Sequence, residues 1–541
     1  MYFKRLYAIL IISVLTATAI FAGGKQETVS DVKKPQEPKI LIFAIDYDPP
    51  SIDPQKNYAG FGEMIASCLH VGLVTTTEKM APAPGVAEEW EISADGKTYT
   101  FHLRKDSKWS DGSPLTAHDF YYAWQRLLKP ETNSKYVTMM FAVVNAEDIF
   151  EGNKSPDELG VKVIDDYTIQ IQLTGPLPYM LQNFAHGAFM PMREDVVSKN
   201  PENWSANAET HMGNGPFTLS SYATNDRIIL KKNPNYFDAD KVLLDEFDFV
   251  TIPEGSTALA AYNAGEIDGF DYMPSSEVPR LLAETNDIYI NPRVRSLHAY
   301  INNEVEPMNN PKIREALSRA LDRDDLAAVM GLGRLPATGY VPVGLFVEGE
   351  DFRAAGGNLG LDNESNVEMA KAALAEAGYP DGEGLPTITV TMAKGYSKTV
   401  ETMQEMWKNV LNINVEIATV EGKVLSSKRK SGDFQIAMGG WSAQIFHPIY
   451  FLDQLYSTGG SNYSNYNNPE YDALIQEAKT LADPEDVLKA LHKAEQLAIG
   501  TEFALLPLYY ETSTVMVKEY VKGWYTDPIG RFHFQYADIV K

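Results

Sequence analysis

Residues 82–130 read PAPGVAEEWEISADGKTYTFHLRKDSKWSDGSPLTAHDFYYAWQRLLKP, the most densely patterned part of the chain. From 98 to 104 apolar and polar residues alternate strictly, with Tyr99, Phe101 and Leu103 on one side, which predicts a half-buried strand. Asp95-Gly96 is turn chemistry, so residues 91–93 are expected to fold back as a hairpin partner. Thr116 with Asp119 three residues on forms a capping box with Asp in place of the usual Glu or Gln. Phe120, Ala123, Trp124, Leu127 and Leu128 then share one helical face until Pro130 stops the helix. The stretch offers no nucleophile with a base and no set of metal ligands, so it reads as scaffold.

Taken whole, the string is specific. Ala83-Pro84-Gly85-Val86-Ala87-Glu88 leads to Trp90, Asp95-Gly96-Lys97 leads to Leu103-Arg104, and Lys108-Trp109-Ser110-Asp111-Gly112 leads to Leu115-Thr116-Ala117 and Asp119-Phe120. This order and spacing resemble the oligopeptide-binding proteins of ABC importers, the large extracytoplasmic solute receptors. The resemblance implies an α/β, two-lobed periplasmic-binding-protein-like fold of type II, with an extra α+β domain inserted in the first lobe. The expected division is 39–68 for the first part of lobe I, 69–186 for the inserted domain and 187–297 for the second part of lobe I. Residues 298–508 form lobe II, and 509–541 return to lobe I. The implied partners are a small peptide and a membrane permease, with the receptor itself a monomer and no cofactor.

Composition agrees with an exported globular protein. At 541 residues the chain is too long for one core. Its 44% hydrophobic and 22% charged residues exclude extensive disorder. A formal net charge of −26 disfavours nucleic acid and anionic membrane as partners. Lys4-Arg5 followed by an apolar run over 8–21 reads as a signal peptide, 1–22, cleaved after about Ala22. No cysteine stands at the first mature position, so release as a periplasmic protein is expected rather than lipid anchoring. Residues 23–38 are polar with two prolines and read as a spacer. Cys68, the single cysteine, sits in an apolar run and reads as a buried small hydrophobe.

Further along, residues 40–44 are a continuous apolar run expected of a strand buried on both faces. Residues 293–303 are expected to be the hinge strand into lobe II. Asn310-Pro311 should start a helix whose buried face holds Ile313, Ala316, Leu317, Ala320 and Leu321. A strand at 387–392, a helix at 399–411 and a strand at 414–420 predict a right-handed crossover with parallel strands. Residues 503–510 should be a strand returning across the hinge.

The ligand-facing element is expected at 434–444, FQIAMGGWSAQ, a buried strand ending in Gly439-Gly440-Trp441. Glycine admits close approach of another backbone, and tryptophan supplies a flat wall. The resemblance implies that Gly440, Trp441 and Ser442 offer main-chain groups to a bound peptide as if a strand were being added. It also implies an arginine in the cleft at Arg429 and an acid near Asp48, which equally suits a turn-forming Asp. Tyr136 and His186 are further cleft candidates, although a lone histidine is more often structural. Tyr509 and Tyr510 would serve as stacking rings. The chain departs from the resemblance at Gln444, where an Asp would pair with the peptide ammonium, and at Met438 and Gly422. Losing the charge-assisted part of that bond costs about 1 kcal/mol or more. A non-peptide ligand such as an oligosaccharide, a nickel complex or an opine therefore stays open. No motif for a nucleophile elbow, a zinc helix or a phosphate loop is present, so no catalytic or metal residue is expected. A secreted hydrolase and a chaperone-like surface protein are the other classes.

Overall fold

The computed structural model describes residues 37–541 apart from 58–59, 178, 348, 362–365, 444–445 and 482. The expected signal peptide, most of the spacer, and Gln444 lie outside the described residues.

The densely patterned stretch folds as read. Strands Ala87–Ile92 and Thr98–Leu103 pair antiparallel, with Trp90 opposite Phe101. Tyr99, Phe101 and Leu103 are all buried. Thr168–Gln172 and Val161–Asp165 complete a four-stranded sheet. Helix Ala117–Leu127 begins at the capping box, where Asp119 Oδ2 accepts from the Thr116 N–H at 2.8 Å. Its buried Trp124 donates from Nε1 to the Phe189 carbonyl at 3.0 Å, tying the helix to residues 187–189. These residues share one continuous core with strand Ile40–Ile45 and helix Gly60–Leu69. Cys68 is in that core, and burial pushes its thiol up to about 12.

A single large sheet runs through the rest of the molecule. In one half, Ile40–Ile45 lies parallel to Glu246–Thr251 and to Gly269–Phe270. In the other half, Ile388–Met392 lies parallel to Val415–Thr419 and Ile436–Ser442, with helix Ser397–Leu411 making the expected crossover. Helix Pro311–Arg319 is capped by Asn310, whose side chain accepts from Lys312 N at 2.9 Å.

Two long antiparallel strands, Ile288–Ile301 and Leu505–Val517, join the halves. Residues 288–292 pair with 512–516, and residues 296–300 pair with 505–510. The register breaks between Pro292 and Ser296. Proline has no N–H to give to a ladder, so the break falls where the sequence weakens the pairing. The hinge thus lies inside one strand, and that strand begins several residues before the expected 293.

Candidate functional site

The two halves face each other across a cavity of about 480 Å³. Its floor is the hinge, with Arg293, Val294 and Ser513 among the lining residues. One wall carries Asp46 and Asp271, which follow strands Ile40–Ile45 and Gly269–Phe270. The opposite wall carries Ser442 and Ala443, at the end of strand Ile436–Ser442. Parallel strands of both halves therefore end at the crevice, the usual place for a ligand in an α/β protein.

Strand Ile436–Ser442 pairs along its whole length with residues 295–301 on one edge. On the other edge only Ile436 and Ala437 are paired, with Val390 and Thr391. Beyond Ala437 that edge has no strand partner among the described residues. Trp441 is half-buried and packs 5.5 Å from the Tyr450 ring, leaving its Nε1 buried without a described acceptor. Ser442 is exposed and faces the cavity. Gly440 is tight: a Cβ there would stand 3.2 Å from the Leu297 side chain and 3.3 Å from the Ser296 carbonyl oxygen. Gly439 admits no side chain: a Cβ would stand 2.3 Å from Tyr300 Cε2 and 2.8 Å from Arg429 Nη1. The space read as room for a ligand is filled by the protein's own Tyr300. The Arg429 guanidinium lies 5.7 Å from the Tyr300 ring and 5.9 Å from the Tyr463 ring, with Nε buried and unpaired. Met438 is core, and Gly422 opens helix Gly422–Ser431.

Tyr136 and His186 come together. Their rings are 4.3 Å apart, and the Tyr136 hydroxyl donates to Glu63 at 3.2 Å. His186 Nδ1 accepts from Ala188 N–H at 3.1 Å. Burial, aided by the nearby Arg531 charge, pushes His186 down to about 3, so its ring is neutral at ordinary pH. His186 also lines a smaller opening with Ala443 and Phe446, between the inserted region and the strand end.

Three expected contacts are placed elsewhere. Asp48 accepts from Asn225 N at 2.7 Å and from Thr251 Oγ1 at 2.8 Å, a long-range tie to the neighbouring strands that matches neither the cleft nor the turn reading. Tyr509 is buried in the lobe II core, where its hydroxyl meets Thr399. Tyr510 is 2% exposed, and its hydroxyl bonds the backbone of Thr338 and Gly339. Neither tyrosine can present a ring to the cavity.

Sequence reading missed Arg531, which lines the cavity and both neighbouring openings. Its Nε donates to Asp527 at 2.7 Å, and His533 Nε2 lies 3.0 Å from the same oxygen. Burial alone would raise the Asp527 carboxyl. The Arg531 charge and the His533 bond outweigh it and hold the group down to about 2. The run Asp527-Pro528-Ile529-Gly530-Arg531 was a visible turn signal, but nothing in it pointed to the cleft.

Two lobes joined by paired strands around a polar crevice define a hinged ligand receptor. The chain belongs to the bacterial extracellular solute-binding proteins, family 5, whose model (family 5 Middle) matches residues 81–463. It is 33% identical over 534 residues to the periplasmic oligopeptide-binding protein OppA of Haemophilus influenzae, covering 97% of this chain and 98% of the relative. Two solved structures separate shape from sequence. The unliganded open form of MppA, a periplasmic murein tripeptide-binding protein, is 30% identical and superposes with a TM-score of 0.84, over 94% of this chain and 98% of that one. Haemophilus influenzae OppA in complex with RPPGFSPFR is 32% identical but scores 0.66, over 94% and 100%. The chain thus superposes better on the unliganded open form of MppA than on OppA with its peptide, although the latter is slightly nearer in sequence.

Proposed function

We propose that this chain is the extracytoplasmic receptor of an ABC importer, which closes its lobes over an oligopeptide and delivers it to a membrane permease. The observation that carries the reading is the unpartnered edge of strand Ile436–Ser442 beyond Ala437, ending at the cavity. An extended peptide added there finds main-chain donors and acceptors already aligned, and recognition through backbone tolerates varied side chains. Gly440, Trp441 and Ser442 would supply those groups, with Arg429 behind the strand. Tyr136 and His186 would close the cavity from the inserted domain, 69–186. Tyr509, Tyr510 and Asp48 have no part in contact with ligand on this reading. Gln444 keeps its place there on the resemblance alone.

The relatives include periplasmic binding proteins, and no helix among the described residues is long and apolar enough to cross a membrane. The relatives support work outside the cytoplasm as a binding receptor, with residues 1–22 as the export signal. Native mass spectrometry of the mature protein, purified without denaturation, tests the reading. A ladder of short peptides released on activation is expected. One non-peptide mass would overturn the peptide assignment and leave the receptor with another solute.

A further inference from the structure

Two carboxylates in the cavity, Asp46 and Asp271, make no ion pair among the described residues, although Arg293, Arg295 and Arg531 line the same cavity. Strands Ile40–Ile45 and Gly269–Phe270 run parallel with Phe43 opposite Gly269. Continuing that register sets Asp271 beside Ile45, with Asp46 the next residue along. Both acids therefore leave the sheet at the rim that opens into the cavity, and both line it. The Oδ1 of each is sealed from solvent and accepts no hydrogen bond among the described residues. Ser513 Oγ, on the hinge side of the same cavity, is likewise sealed and unpaired.

An unpaired buried carboxylate is costly, and the molecule meets that cost by holding its protons more tightly. Burial first, then the charge of Asp46, pushes Asp271 up to about 7, while Arg293 pulls the other way. Asp46 is raised as well, chiefly by burial, against bonds from its own backbone and that of Tyr47. Two of the neighbouring cations are engaged elsewhere. Arg295 is paired with Glu511 and Arg531 with Asp527, while Arg293 Nε donates to the Ile529 carbonyl at 3.3 Å and keeps its charge near Asp271. No group of three or more His, Cys, Asp or Glu converges among the described residues, so the pair is not part of a metal cage.

We infer that Asp46 and Asp271 form a subsite on lobe I that takes a positively charged group of the ligand. The inference rests on the peptide-receptor reading and adds to it a preference for ligands that bring a cation to this wall. The chemistry is an ammonium or guanidinium, which a peptide can offer from its free amino end or from a Lys or Arg side chain. Binding of a cation draws the pair into its ionised form, so affinity rises with pH through about 7. The rise ends where the ligand's own amine loses its proton. The groups facing Asp271 in this titration are Asp46 and Arg293.

The test uses the mature full-length protein and three pools of synthetic tetrapeptides. One has free amino ends and no Lys or Arg, one is the same pool N-acetylated, and one is N-acetylated with a single Lys. Binding is read by calorimetry at pH 6 and pH 7.5 for wild type, Asp271→Asn and Asp46→Asn, each first checked for a wild-type melting profile. Wild type should bind a cation-bearing pool at least tenfold more tightly than the neutral acetylated pool. It should also bind several-fold more tightly at the higher pH, and Asp271→Asn should remove both differences. Preference for the first pool assigns the amino end, and preference for the third assigns a side chain. Should wild type bind all pools alike, or Asp271→Asn keep the preference, the subsite is refuted while the peptide receptor stands. If no pool binds, the peptide reading fails, and spermidine and L-arginine are titrated instead. Binding lost in Asp271→Asn keeps the acid pair as a cation site for another solute; no binding of either overturns it.

Discussion

Gly439 illustrates how a residue can be required for a reason its sequence context does not suggest. An added methyl would meet the buried ring of Tyr300, itself held by His298 and Tyr463. Gly439→Ala is expected to cost about 1–3 kcal/mol in urea unfolding. Gly440→Ala, with a nearest contact of 3.2 Å to a flexible leucine end, should cost less. A second residue-scale prediction concerns Asp527. Its carboxyl titrates at about 2 when folded against an ordinary value of 3.8. A depressed folded value means stability that is fully present above pH 4 and lost as pH falls toward 2. That contribution is on the order of 2 kcal/mol, and Asp527→Asn should flatten the loss in acid-unfolding curves. At this scale the sequence was a partial guide. The strand that carries Gly440, Trp441 and Ser442 was legible, and its last residue, Ser442, lines the cavity. Tyr509 and Tyr510 were not legible, because a continuous apolar run does not say which of its tyrosines is sealed inside. Asp48 was named because the resemblance puts an acid just ahead of the Ser51-Ile52-Asp53-Pro54 turn, and nothing in that local pattern shows that Asp46, where the strand stops, is the one lining the cavity.

Elements were easier to read than contacts, since they depend on neighbours in sequence. The hairpin around Asp95-Gly96, the capped helix Ala117–Leu127 and the crossover through helix Ser397–Leu411 all stand where periodicity and caps put them. Asp119→Ala removes the acceptor for the Thr116 N–H and should lower stability by about 1 kcal/mol in urea unfolding. Trp124 and the rest of the helix core would be left intact. The exception is the hinge strand. Its first residues, Ile288 to Pro292, show no clean alternation and gain their order from Leu505–Val517, more than two hundred residues away. Local pattern cannot announce a partner at that distance. It did mark the break: Pro292 sits where the ladder loses register.

On the scale of the whole molecule, a shape nearer to an unliganded open relative than to a peptide-bound one predicts movement when ligand enters. Cys68 is buried, with a thiol raised to about 12, so it will not react with labels aimed at surface cysteines. Spin labels on Glu254→Cys and Lys423→Cys would then report on the lobes alone. Both positions are exposed, and each follows a parallel strand of its own half, Glu246–Thr251 and Val415–Thr419. The measured distance should shorten when a bound tetrapeptide is present; an unchanged distribution with ligand bound would refute hinge closure. The strand Leu505–Val517 has one more consequence, and it concerns time. Leu506 and Leu508 belong to the lobe II core, Val515 and Val517 to that of lobe I. A chain made from its amino end therefore acquires the piece common to both cores only after the strands and helices it packs against. Until residue 517 has emerged, neither core is complete, so both lobes stay open to rearrangement until the strand they share is made.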